Sequence, residues 1–167
     1  VDKAVFPGLQ GGPHINIIAA KAVAFGEALR PDFKTYAKQI LKNAKMLEKE
    51  MHKRGYKILF GGTENHMIMV DVFSSLGISG KEAEHTLDAV GITVNKNMIP
   101  DDTRSPFDPA GIRVGVPAIT TRGMRKQETK QLARIMDEAM RHRDNKKLLQ
   151  QLHKEVKKLC RKFPLYH

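Results

Sequence analysis

ITVNKNMIPDDTRSPFDPAGIRVG, residues Ile92–Gly115, holds two short apolar runs separated by a polar stretch. Ile92–Val94 and the segment around Arg113 read as strands, and residues 95–110 between them as a loop interrupted by three prolines, Pro100, Pro106 and Pro109. In a doubly wound parallel sheet a helix follows each strand. Here two strands follow one another, so the pattern favours an α/β domain of the α+β type, a small antiparallel or mixed sheet with helices packed on it. A loop this long inside a compact domain is usually functional or disordered.

The flanking pattern agrees. Residues 13–29 are nearly all apolar and predict a buried helix with Pro13 in its first turn. From Phe33, apolar residues at Tyr36, Ala37, Ile40, Ala44, Leu47 and Met51 recur with the helical period, and Gly55 is the expected stop. Tyr56–Phe60 and Met67–Phe73 read as strands joined by a turn at Gly61-Gly62, the second apolar on both faces and therefore central. Ser79 and Glu82 have capping-box spacing at the start of a helix whose buried stripe is Ala83, Leu87 and Val90. After Gly123 two amphipathic helices are expected, the first burying Leu132, Ile135, Met136, Ala139 and Met140, the second Leu149, Leu152, Val156, Leu159 and Phe163.

The composition of the 167 residues is that of a globular chain, 41% hydrophobic and 28% charged. Cys160 is the single cysteine, which rules out an internal disulfide and, with no Cys/His cluster, gives no metal site. No apolar run approaches the roughly 20 residues of a membrane span. The first residues lack the charged and apolar regions of a signal peptide. A cytoplasmic protein is expected, and the missing initiator methionine suggests a fragment. The net charge is +11, and residues 122–167 hold 14 Lys/Arg against 5 Asp/Glu. Those cations lie opposite apolar stripes with no aromatic residues interleaved to stack bases, so a solvated helix face is expected and no nucleic acid partner. The alternative is a non-catalytic basic interaction domain holding an acidic partner or nucleic acid.

An arginine inside a strand bounded by glycines requires explanation. A guanidinium keeps its charge inside a protein. Either an internal carboxylate satisfies Arg113, or its strand lies at an edge and the side chain reaches water, or else it serves as a bidentate clamp on the carboxylate of a small substrate. Gly11-Gly12 precede a helix start, where free amides favour an anion, although glycine and lysine spacings exclude a P-loop or dinucleotide fingerprint. Asparagines such as Asn97 are first read as turn formers, His66 as a hydrogen-bonded structural histidine, and Met67, Met69 and Met136 as core filling.

In combination, VFPGLQGGPH (5–14), GGTENH (61–66), GITVNKN (91–97) and SPFDPAGIRVGVPA (105–118) closely resemble the C-terminal part of the serine hydroxymethyltransferase family, the match running to KFPLY, Lys162–Tyr166. The resemblance implies the C-terminal domain of an aspartate-aminotransferase-like fold, dependent on pyridoxal phosphate. It also implies an activity that interconverts serine and glycine while moving a one-carbon unit to or from tetrahydrofolate, in a homodimer or larger assembly. Residues 1–30 would be a segment and connecting helix of the large cofactor domain, and 31–167 the small domain. Arg113 would hold the amino-acid carboxylate. Gly11 and Gly12 would meet the cofactor phosphate of the neighbouring subunit, and Asn97, Ser105, Pro106 and Phe107 would line the folate pocket. Two positions depart from the family's usual residues, Ala110 where a hydroxyl is frequent and Val116 where Ser or Thr is common. Nothing matches the family's T-T-H-K-T-like stretch with its Schiff-base lysine. His52-Lys53 and His153-Lys154 sit in basic helices, so no catalytic residue is assigned, and this chain alone is not expected to catalyse.

Overall fold

A computed structural model describes residues 1–165, so Tyr166 of the closing stretch lies outside the described residues. The chain divides into two compact units, Val1–Ala37 and the remainder from Lys38.

The first unit contains an irregular helical turn, Ala4–Leu9, then α1, Ile15–Ala28, and the opening turns of α2, Pro31–Lys53. The expected burial of the apolar helix is corrected: every residue of α1 is exposed, including Ile15, Ile17, Ile18, Val23 and Phe25. Its hydrophobicity suffices for a helix but does not by itself supply a covering surface. Pro13 stands ahead of the N-cap His14 and not in the first turn.

The second unit is a mixed α/β structure. Strands β1 (Lys57–Ile58), β2 (Met67–Asp71), β3 (Asn95–Asn97) and β4 (Gly111–Gly115) form one antiparallel sheet in the order β1-β2-β4-β3. Its helices are the remainder of α2, α3 (Val72–Leu76), α4 (Gly80–Ala89), α5 (Pro117–Thr121), α6 (Lys126–Arg141) and α7 (Lys146–Lys162). Gly55 ends α2 with φ +87°, a left-handed conformation that costs glycine little. The capping box forms as expected. Ser79 Oγ accepts from the Glu82 amide at 3.1 Å, and the Glu82 carboxylate accepts from the Ser79 amide at 3.1 Å. Both late helices form, with Ile135, Met136, Ala139, Met140, Leu152, Val156 and Leu159 buried and Leu132, Leu149 and Phe163 partly covered.

Strand boundaries moved more than helices did. The strand expected at Ile92–Val94 lies three residues later, at Asn95–Asn97, because its ladder partners are Arg113, Ile112 and Gly111. Val94 is buried without being paired. The strand expected through Phe73 stops at Asp71, whose carboxylate accepts from the Ser74 amide at 2.9 Å and starts α3. Tyr56–Phe60 keeps only Lys57–Ile58 as strand before a tight turn at Leu59–Gly61.

Along β2 and β4 the burial alternates with the pleat. Ile68, Val70, Ile112 and Val114 face a core shared with Leu47 and Met51 of α2, Ala83 and Leu87 of α4, Met136 and Met140 of α6 and Leu152 of α7. Each of the larger aliphatic side chains and methionines contributes about 1.5–3 kcal/mol by leaving water. A buried amide adds specificity: Asn43 Nδ2 donates to Thr120 Oγ1 at 2.9 Å and to the Met124 carbonyl at 3.0 Å. Met67 and Met69 are only partly buried and lie outside this core, contrary to expectation, whereas Met136 belongs to it.

Candidate functional site

The second face of the sheet is open, and Arg113 stands on it. β4 runs between β2 and β3, so the arginine is not on an edge strand; its register partners are Met69 on one side and Asn95 on the other. The side chain is exposed. Among the described residues no ion pair or hydrogen bond engages its guanidinium. Neither an internal acid nor an edge position accounts for Arg113; its side chain reaches solvent from an interior strand.

Beside Met69, GGTENH shapes a hollow of about 440 Å³ lined by Gly61, Gly62, Asn65, Met67 and Met69 among others. Its polar side chains hold the turn together: Asn65 Oδ1 accepts from the Met67 amide at 3.0 Å, and Thr63 Oγ1 from the Asn65 amide at 3.1 Å. His66 is exposed, and its carbonyl accepts from the Val116 amide.

Two glycines control how closely β4 is approached. A Cβ on Gly80 would lie 2.2 Å from the Gly111 carbonyl oxygen, and one on Gly111 would lie 2.5 Å from Ile99 Cγ2. The Gly80 amide donates to the Pro109 carbonyl at 2.7 Å, so the first turn of α4 seats directly on the chain entering β4.

The loop between β3 and β4 is braced by its own carboxylates. Asp102 Oδ2 accepts from the amides of Ile99, at 3.2 Å, and Ala110, at 2.9 Å, while Oδ1 accepts from the Arg104 amide at 2.9 Å. Burial would raise the Asp102 carboxyl, but these amides outweigh it and hold it below its ordinary value. The Arg104 guanidinium pairs with Asp108 and lies 4.7 Å from the centre of the Phe73 ring. The tip carries the expected folate residues: Ser105, Pro106 and Phe107 are exposed, Phe107 at 83%, and Ser105 Oγ accepts from the Phe107 amide. Asn97 ends β3 opposite Gly111 and donates to the Met98 carbonyl at 2.7 Å. Glu84 of α4 holds that strand, accepting from the Lys96 amide at 3.0 Å and from its ammonium at 3.1 Å. Sequence reading missed Asp102, Arg104, Glu84 and Gly80. Aspartate in a proline-rich turn was the available signal for the first of these.

In the first unit, Gly11 and Gly12 are exposed, with no heavy atom within 4 Å of a Cβ built on either. They line a groove of about 440 Å³ with Pro13, His14 and Lys21. No side chain caps the start of α1, so its first amides and the Lys21 ammonium offer a phosphate both hydrogen bonds and charge.

The basic helices are partly self-neutralised, Arg134 engaging Glu138 and Glu155 and Arg141 engaging Asp137. Among the described residues no helix is long and apolar enough to cross a membrane.

The family model described as serine hydroxymethyltransferase matches residues 1–136. A curated relative named serine hydroxymethyltransferase, from Acidobacterium capsulatum, is 54% identical over 166 residues, covering 99% of this chain and 39% of the relative. The chain thus spans about two fifths of that relative's length.

Proposed function

Since the chain belongs to the serine hydroxymethyltransferase family, we propose that it is the C-terminal portion of a pyridoxal-phosphate-dependent transferase interconverting serine and glycine with transfer of a one-carbon unit to or from tetrahydrofolate. In this reading residues 1–30 belong with the large cofactor domain, and the rest forms the small domain of an enzyme that works in the cytoplasm as a homodimer or larger assembly.

Arg113 is the residue on which the reading rests. An unpaired guanidinium on an interior strand, flanked by Met69 and Asn95 on an open face, has the fork of donors a substrate carboxylate requires. Holding serine or glycine by that carboxylate leaves the bond to be broken free to be oriented. Asn97 and Ser105-Pro106-Phe107 provide a polar and an apolar surface for the folate.

The residues at the start of α1 fit the cofactor's phosphate: exposed glycine backbone, uncapped amides and the nearby Lys21 ammonium. When bound, pyridoxal phosphate supplies an electron sink for cleaving a bond at the substrate's α-carbon. Gly11 and Gly12 would receive the phosphate of a neighbouring subunit's cofactor. The residues described here bind and orient; none supplies the Schiff-base lysine, so this segment by itself is expected to be inactive. Arg113→Ala in the full-length enzyme tests the proposal, with a strongly raised serine KM expected. A normal serine KM would retire the clamp.

A further inference from the structure

Three amides converge on one carboxylate in the loop between β3 and β4. Asp102 Oδ2 takes the amides of Ile99 and Ala110, near the two ends of the loop, and Oδ1 takes that of Arg104, beside the tip. No ladder pairs residues 98–110, so these bonds replace one. The tip itself, Ser105-Pro106-Phe107, has the local turn bonds from Phe107 to Ser105 Oγ and from the Asp108 amide to the Ser105 carbonyl. Arg104 adds its hold on Asp108.

β4 is anchored differently. Gly111–Gly115 is paired along its length with β2, and Gly111, Ile112 and Arg113 pair also with β3. Loss of the Asp102 bonds would therefore free the tip while leaving Arg113 in register.

We propose that Asp102 is a positioning residue for the folate co-substrate: it closes the loop at both ends and sets Ser105-Pro106-Phe107 relative to the strand bearing Arg113. This rests on the assignment of those three residues to the folate pocket.

The donor set explains why a carboxylate stands here. All three partners are N–H groups, and only a side chain with acceptors on both oxygens satisfies them together. An asparagine keeps either the Ile99 and Ala110 pair or the Arg104 bond and turns its own N–H₂ toward the other side. Alanine loses all three. The effect is therefore graded, Asp102→Asn milder than Asp102→Ala.

The test uses the full-length, cofactor-loaded enzyme with both variants. Amide hydrogen exchange across residues 103–109 is measured without folate, and KM is measured separately for tetrahydrofolate and for serine. Exchange is expected to quicken in both variants, more in D102A. In D102A the tetrahydrofolate KM should rise about tenfold with the serine KM within about twofold, as follows from losing bonds at one of two sites. Unchanged exchange would overturn the brace, and a parallel rise of both KM values would overturn the selective role. Quickened exchange with an unchanged tetrahydrofolate KM would instead overturn the folate assignment of Ser105–Phe107 and, with it, the positioning role. Should D102A fail to fold, D102N carries the same readings at smaller amplitude.

Discussion

Gly80 and Gly111 are packed backbone to backbone: a Cβ on the first would stand 2.2 Å from the carbonyl oxygen of the second. Helix α4 thus begins in contact with the first residue of the strand that carries Arg113. Gly80→Ala can be accommodated only by moving α4 or β4, since the obstructing atom is main chain. We expect a loss of about 1–3 kcal/mol, read from urea denaturation of the full-length protein. An unchanged midpoint would show that the contact relaxes freely.

Asn43 links α2 to the segment after β4 through its bonds to Thr120 and the Met124 carbonyl. Asn43→Ala leaves those acceptors buried and unpaired, costing about 1–3 kcal/mol. Asn43→Asp should be worse at neutral pH, because a carboxylate oxygen would face the Met124 carbonyl. Comparison of the two melting temperatures checks the ranking.

Acid sensitivity follows from Glu84. The Lys96 amide chiefly, against opposition from burial, and then the Lys96 side chain hold its carboxyl below the ordinary 4.5. A depressed folded-state value stabilises above 4.5 and loses that contribution as pH falls through the folded value. Glu84→Gln should therefore be less stable than the parent above about pH 5, with the gap closing in acid. Urea midpoints between about pH 3 and 7 would show it. A gap independent of pH would mean that the charge contributes nothing.

Exposed apolar side chains on α1 predict association. Ile15, Ile17, Ile18, Val23, Phe25 and Leu29 are all exposed. The 167-residue chain prepared alone is expected to bind a hydrophobic dye and to self-associate, and a version starting at residue 31 to do so less. A clean monomer by light scattering, with little dye binding, would contradict this.

Helix signals were legible because they are local. Ser79 and Glu82 form their box, Gly55 adopts the left-handed stop, and the late helices bury their stripes. Strand limits depend on distant partners. Val94 is apolar and buried yet unpaired, while polar Asn95–Asn97 hold the ladder because Gly111–Arg113 lie opposite. Hydrophobicity predicted that α1 is a helix but also that it is buried, which is a property of neighbours and not of the segment. At the site, Arg113 was singled out by its strand and glycines. Asp102 was not, because its role arises from three amides that only the folded loop brings together.

Glycine differs from glycinamide only in having the carboxylate, so their relative affinity isolates what Arg113 is proposed to hold. Calorimetric titration of the full-length enzyme should find glycinamide weaker by on the order of a hundredfold, and Arg113→Ala should nearly abolish that preference. If the Arg113→Ala enzyme still discriminates between the two ligands as the parent does, some other group binds the carboxylate and the account fails.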